Sequence, residues 1–331
     1  MVLGVTQDDL DVIDVIELPK PGTRRRGHLR FSHPMLADWA WSYTVIRGAE
    51  DGPSVAVTSG VHPAEYPAIE ANIRFARDLD PRALRGTVVS LPLVDVPAFY
   101  ARTPFVCPID NKNPNRFMPG SPDGTFTEVM NDAIFRSVMS RADALVDLHG
   151  GDMVEALVPF TIYATGEDVA VDAKSRAMGL AYGLPFLVSS SPVTGGSGGT
   201  TIRAAADAGI PAILTEAGAC GLLTEPETQQ HQTGIANVLR HLGMLDGDPA
   251  PPLTPILELA RMTAVPSPAE GMWYPAVVVG DPVREGETIG HIGSIFGDTL
   301  AELVAPSDGY VLYITSSPAM RAGGLTLVVG S

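Results

Sequence analysis

Residues 54–80 read SVAVTSGVHPAEYPAIEANIRFARDLD, and this stretch decides the fold. Ser54–Ser59 is a short, β-branched-rich apolar run stopped by Gly60, the signature of a buried strand. From about Glu65 to Asp78 the spacing predicts a helix, with Ile69, Ile73 and Ala76 on one side. A strand, a turn and a helix in that order open an α/β unit. The turn carries His62, Pro63 and Glu65.

Outward from this unit the alternation continues. Thr87–Leu93 reads as a strand, and 95–125, rich in Pro and Asn, as an irregular stretch. A helix over 127–141 leads to strand Ala144–Leu148. Strand Thr161–Tyr163, helix 169–182, strand Leu187–Ser189, the Gly-rich loop Ser191–Thr201, helix 200–208, strand Ala212–Thr215 and helix 225–242 follow. Such alternation predicts an α/β sheet with helices on both faces and a site at the carboxyl ends of the strands. Within residues 1–50, Asp11–Leu18 and Trp39–Arg47 read as strands, and Arg24–Arg25–Arg26 as an exposed turn.

Residues 246–262 form a Pro-rich linker. Over 263–331 the pattern becomes short strands at Tyr274–Val279, Thr288–Ile292, Gly309–Ile314 and Thr326–Val329, a small all-β domain. Two domains result, 1–245 and 263–331. The second resembles a biotinyl/lipoyl-type β-sandwich, whose cofactor sits on a Lys at a hairpin tip. Here the lysines are Lys20, Lys112 and Lys174, so attachment in this domain is excluded. A structural module beside the catalytic core, or a part in oligomerisation or in closing the site, is what remains.

Composition narrows the partners. The 331 residues carry 22 Lys+Arg and 38 Asp+Glu, a formal charge of −16. That argues against nucleic acid and anionic lipid, which need a basic face. The two cysteines, Cys107 and Cys220, cannot build a disulfide framework and suit a reducing compartment. Acidic residues follow the first few positions at once, unlike a signal peptide, and no apolar run approaches the roughly 18 residues of a membrane span. The expectation is a soluble cytoplasmic protein, with a homo-oligomer left open.

Four segments carry chemistry. His62 and Glu65, three apart, can face one point on the first helical turn and offer the nitrogen and oxygen ligands that suit Zn²⁺. Alone, the pair is also what an ordinary surface turn presents. His149 closes the apolar strand ALVDL; alone it reads equally as a hydrogen-bonded strand-end histidine, but with His62 and Glu65 it completes a three-ligand set that leaves a fourth position open for water. Asp147, two residues earlier on the same side, can hold the imidazole tautomer. Glu216 ends the apolar strand AILT, a poor place for an unpaired carboxylate unless it moves protons; a salt-bridged Glu is the plainer reading. In the Pro/Asn loop 110–120, the Asn115–Arg116 pair can bind a carboxylate or polarise a carbonyl, or simply sit in a turn.

His62-x-x-Glu65, Asn115–Arg116–Phe117, Asp147-x-His149 and Thr215–Glu216–Ala217–Gly218, in this order, resemble the succinylglutamate desuccinylase/aspartoacylase family, a branch of the zinc carboxypeptidase (M14-like) fold. The resemblance covers roughly 25–245, and a C-terminal β-domain is also a family feature. It implies an α/β fold with a zinc-carboxypeptidase-like mixed sheet flanked by helices. It further implies one Zn²⁺ per chain on His62, Glu65 and His149. Glu216 is then general base and acid, Arg116 stabilises the oxyanion, and Asn115 helps hold the substrate. Aspartoacylase-like members carry another Arg shortly before the Asn–Arg run; here that stretch is Phe105–Val106–Cys107–Pro108 and the nearest is Arg102. Arg102–Thr103–Pro104–Phe105 is similar to the branch related to N-acetyl-diaminobutyrate deacetylases, and Arg102 joins the substrate-binding candidates. The implied activity is hydrolysis of a small N-acyl amino acid or amine. The alternatives are a zinc carboxypeptidase acting on peptides and a non-catalytic scaffold that kept the fold. His28, His33, His231, His241 and His291 are taken as non-ligands, and Cys220 as a small buried residue.

Overall fold

The computed structural model describes residues 16–191 and 199–331. The chain runs through β1 (Thr23–Leu29), β2 (Trp41–Arg47), β3 (Glu50–Ser59), α1 (Tyr66–Asp78), β4 (Arg85–Leu91), α2 (Val96–Ala101), α3 (Phe126–Ser137), β5 (Ala144–His149), β6 (Glu155–Leu157), β7 (Phe160–Ala164), α4 (Val169–Tyr182), β8 (Phe186–Ser190), α5 (Thr201–Asp207), β9 (Ala212–Glu216), α6 (Glu225–His241) and β10 (Leu257–Leu259). Nine of these strands form one mixed sheet in the order β1-β2-β4-β3-β5-β9-β7-β8-β10. Strands β4, β3, β5 and β9 are parallel neighbours, and β5 is buried along its whole length, as a central parallel strand must be. Helices α3 and α5 cover one face, packing Ile134 and Ile202 with Leu145. On the other face α1, α4 and α6 pack Phe75, Met178 and Ile235 against Val146 and Leu148. No helix among the described residues is long and apolar enough to cross a membrane.

Residues beyond β10 form β11 (Met262–Pro266), β12 (Gly271–Pro275), β13 (Pro282–Val283), β14 (Thr288–Gly293), β15 (Thr299–Val304), β16 (Gly309–Thr315), β17 (Ala319–Met320) and β18 (Leu325–Gly330). They make two antiparallel sheets, β11-β18-β16-β13 and β15-β14-β12-β17, with Trp273, Ile292, Val311 and Leu327 in a shared core. Strand β6 leaves the main sheet and pairs with β16.

Several expectations shift. Arg24–Arg26 lies in edge strand β1, not in a turn; Arg24 donates to the carbonyls of Ala76 (2.8 Å) and Leu79 (2.6 Å) at the end of α1. The expected linker 246–262 contains β10, which pairs in parallel with β8 and completes the sheet, and ends where β11 begins. The irregular stretch 95–125 holds α2, started by Asp95, whose carboxylate accepts the Ala98 N–H. On α1, Ile73 is 43% exposed, and Ala68, Asn72 and Phe75 join Ile69 and Ala76 on the buried side. In the β-module the expected strand Tyr274–Val279 is displaced to Gly271–Pro275. The expected strand Asp11–Leu18 lies largely outside the described residues, as does most of the loop 191–201; Ile16–Leu18 is not in a strand.

Candidate active site

Parallel pairing sets the site. β3, β5 and β9 are side by side, with Ser59 opposite Leu148 and His149 opposite Glu216. Their carboxyl ends therefore deliver side chains to one place, about 5 Å apart from strand to strand. Beyond β3 the chain turns at Gly60, whose φ is +64° and where a Cβ would meet Leu93 Cδ1 at 2.8 Å; only glycine fits. His62 thus sits in the turn before α1, not on its first helical turn, and Glu65 is the N-cap of α1. After β9, Gly218 (φ +104°) lets the chain pass Pro67 at the start of α1, where a Cβ would come within 2.7 Å of the ring.

His62, Glu65 and His149 are brought together, each offering one ligand atom, with these atoms within 4.8 Å of one another. His62 Nδ1 is 2.8 Å from Glu65 Oε1, and His149 Nδ1 is 3.0 Å from Glu65 Oε2. Those last two atoms are buried without a hydrogen-bond partner. An orphaned carboxylate oxygen facing an orphaned imidazole nitrogen suits a shared divalent cation. The other ring nitrogens are held from behind. His149 Nε2 donates to Asp147 Oδ2 at 2.9 Å, and His62 Nε2 donates to Asn113 Oδ1 at 3.0 Å, leaving both Nδ1 lone pairs for the ion. Asp147 is itself fixed: its Oδ1 accepts from Thr58 Oγ1 at 2.6 Å and its Oδ2 from Thr201 Oγ1 at 2.5 Å.

Charge tells the same story. Burial alone would raise the Glu65 carboxyl, but the His149 and His62 imidazoles outweigh it and hold it at about 2. Burial would lower His149 and His62; Glu65, and for His149 also Asp147, outweigh it and raise both. Without an ion the cluster draws in protons, and a divalent cation answers the same demand. Glu216 lies beside it, its Oε2 also buried without a partner. Burial, then Glu65, push its carboxyl well above the usual range.

A cavity of about 340 Å³ opens onto these groups, lined by His62, Glu65, Asn115, Arg116 and Glu216. Arg116 stays exposed to solvent as a whole, yet desolvation of its guanidinium lowers its pKa against the pull of Glu216 and Glu155. Its Nη1 donates to the Asn115 carbonyl at 2.6 Å, and Asn115 Oδ1 accepts the Thr201 N–H at 2.9 Å, tying the Asn–Arg loop to α5. Arg102 departs from expectation: it is the exposed, left-handed C-cap of α2 and is not among the cavity-lining residues. His231 behaves as a structural histidine, buried between the Tyr182 hydroxyl (2.7 Å) and the Ala217 carbonyl (3.1 Å), with burial lowering it to about 4. Cys220 is half-buried, on left-handed backbone.

Sequence reasoning missed the partners behind and around the ligands. Asn113 stands two residues before Asn115, a signal that went unused. Glu155 of β6 and Arg261, Met262, Tyr313, Leu325 and Val328 of the C-terminal module also line the cavity, and no motif announced them.

The family model of the Succinylglutamate desuccinylase/Aspartoacylase catalytic domain matches residues 51–242. N-alpha-acetyl-L-2,4-diaminobutyric acid deacetylase from Halomonas elongata is 30% identical over 293 residues, 86% of this chain and 84% of that protein. The product-bound structure of the ectoine utilization protein EutE (DoeB) from Ruegeria pomeroyi superposes with a TM-score of 0.86 at 27% identity, over 98% of this chain and 99% of that one. A succinylglutamate desuccinylase/aspartoacylase from Rhodobacter sphaeroides does so with a TM-score of 0.85 at 27% identity, over 97% and 99%. The match runs from β3 through α6, the elements that carry every group converging on the cluster, and on that ground this chain belongs to the succinylglutamate desuccinylase/aspartoacylase family of deacylases.

Proposed function

We propose that this protein is a zinc-dependent amidohydrolase that frees the amine of a small N-acyl amino acid, with N-α-acetyl-L-2,4-diaminobutyrate as the first candidate substrate. The observation that carries this reading is the set of orphaned donors on Glu65 and His149 facing each other beside Glu216, at the floor of a small cavity. His62, Glu65 and His149 would hold the ion. When bound, zinc polarises the amide carbonyl and acidifies water so that it can attack near neutral pH.

The chain's own groups do the rest. Glu216 Oε2 accepts a proton from the attacking water and later delivers it to the departing amine nitrogen. Water adds across the C–N bond, giving a free amine and a small carboxylic acid. The Arg116 guanidinium stabilises the negative charge that develops on the carbonyl oxygen. Asn115 holds the Arg116 backbone through Thr201 and presents its amide to the substrate. A raised carboxyl at Glu216 favours this two-way use, because its proton affinity then lies nearer the working pH.

The named activity of the Halomonas elongata relative supports an N-acetyl diamino acid. The cavity volume suits an amino-acid derivative, and residues of the C-terminal module wall it, which favours small substrates over peptides. The free cysteines fit a cytoplasmic setting. Metal analysis of purified protein is expected to give about one zinc per chain. A hydrolysis screen with the zinc-loaded enzyme is expected to find N-α-acetyl-diaminobutyrate cleaved. Faster cleavage of peptides than of N-acetyl amino acids would replace this reading with a carboxypeptidase.

A further inference from the structure

Strand β6 carries a carboxylate that neither the metal cluster nor the proposed proton transfer uses. Its pairing with β16 sets Thr315 opposite Glu155 and Tyr313 opposite Leu157. The backbone is pinned on its other side, where the Glu155 carbonyl accepts the Cys220 N–H at 2.7 Å. One carboxylate oxygen, Oε2, accepts the Asp152 N–H at 2.9 Å, and the Tyr313 hydroxyl reaches the same carboxylate. Glu155 lines the cavity, yet no Arg, Lys or His among the described residues forms an ion pair with it. It also stands outside the group His62, Glu65 and His149.

The surrounding wall is apolar, with Leu157, Phe160, Ile162 and Val188. Burial there, then the nearby Glu65 carboxylate, push the Glu155 carboxyl up to about 7, as for a carboxyl short of a counter-charge. Arg116 lines the same cavity and makes no ion pair with it. Arg261 lines it too and forms no ion pair with Glu155; although Glu155 pulls on Arg116 across the cavity, the wall keeps positive and negative groups apart, the complement of a ligand carrying both charges.

We infer that Glu155 is the specificity-determining residue of this site: its carboxylate receives the side-chain ammonium of an N-acyl diamino acid. The inference rests on the amidohydrolase reading for the word substrate, but the charge match is a binding property and is tested as one. An ammonium is a compact donor of three hydrogen bonds and pairs strongly with a half-buried carboxylate. A neutral alkyl side chain leaves that carboxylate unpaired, and an acidic one is repelled.

Calorimetric titration of the zinc-loaded protein compares L-2,4-diaminobutyrate with L-norvaline, which replaces the ammonium by methyl. Wild type is expected to prefer diaminobutyrate by about 10- to 100-fold, the scale of one charged hydrogen-bonded pair. Glu155→Gln keeps an acceptor for the Asp152 N–H, so the fold should hold, and the preference is expected to fall to within about threefold. Glu155→Asp, which withdraws the carboxylate by one methylene, should give an intermediate ratio. Equal binding of the two ligands by wild type overturns the inference without any variant, and so does an unchanged ratio in Glu155→Gln. Hydrolysis of N-α-acetyl-diaminobutyrate is measured in parallel. If wild type binds selectively but cleaves nothing, the amidohydrolase reading fails and the assignment of Glu155 stands.

Discussion

Asp147→Asn is the substitution that tests the proposed metal site most directly, because it removes a charge and keeps the shape. Asp147 is fully buried and accepts three hydrogen bonds, from Thr58, Thr201 and His149. In the variant the amide oxygen can take the place of Oδ2 and still accept from His149 Nε2 and Thr201. The amide nitrogen then faces Thr58, whose hydroxyl turns to accept. Only charge assistance is lost. A hydrogen bond to an ionised partner contributes about 1.5–3 kcal/mol and a neutral one about 1, so the loss is about 1–2 kcal/mol. Because His149 donates more electron density when Asp147 is charged, that loss falls on the bound ion. The expected result is about 5- to 30-fold weaker zinc affinity, consistent with what partners behind metal-bound histidines usually contribute. Competition against a chromogenic chelator measures it, with unfolding of the metal-free protein followed in parallel. Asp147→Leu would strand three donors and cost several kcal/mol in the fold itself, which would hide the effect. Zinc affinity unchanged within about twofold in a folded Asp147→Asn protein would refute the argument that Asp147 acts on the ion through His149.

Three further outcomes are expected. Glu216→Gln should retain zinc at the wild-type stoichiometry while kcat falls by about 10²–10⁴, the contribution of a positioned proton carrier; full turnover would remove Glu216 from the mechanism. Arg116→Ala should lower kcat by about 10²–10³ with the melting temperature little changed, as for loss of one oxyanion donor, and a pure KM effect would assign Arg116 to ground-state binding instead. At the start of α2, burial lifts the Asp95 carboxyl to about 6, above its ordinary value of 3.8. A raised acid stabilises the fold below its unfolded pKa and loses that contribution as pH rises through 6. Between pH 4 and pH 7 wild type should therefore lose on the order of 2 kcal/mol more stability than Asp95→Asn, which still accepts the Ala98 N–H; parallel pH profiles from denaturant titration would contradict this.

What could be read from the sequence, and what could not, divides by burial. Strands β3, β5 and β9 are parallel and central, so their segments hold short, mostly apolar runs with polar residues at the carboxyl end. His149 and Glu216 were found that way, and His62 by its turn. Within the nine-stranded sheet, the two strands not anticipated are its two edges. Edge strand β1 carries Arg24, Arg25 and Arg26, and β10 follows a Pro-rich run, because an edge needs charge or Pro to discourage further pairing. That same protection makes an edge look like a loop. Helix α2 escaped because six residues are too few for periodicity, although Asp95 before Val96–Pro97 is a start signal. Asn113 and Glu155 act through contacts across the fold, to His62 and Tyr313, and sequence spacing does not encode those.

The β-module changes meaning most. Its resemblance to a lipoyl-type sandwich, with no Lys to carry a cofactor, left it as an appendage of open purpose. Its position argues otherwise. Leu312 of β16 is buried in one apolar cluster with Leu157, Phe160, Phe186 and Val188, all from β6, β7 and β8. Burying Leu312 in that cluster stabilises the seam by about 1.5–3 kcal/mol, added to the β6–β16 pairing. That shared apolar core and strand pairing tie the module to the cavity wall. Ligands must then enter a cavity whose walls are already set, with Tyr313 and Val328 on one side of the seam and Glu155 and Phe160 on the other. Selectivity follows from that rigidity. A hinged wall could adapt to acyl groups and side chains of many shapes, whereas a wall held by its own apolar core discriminates by size and by the Glu155 carboxylate beside that core.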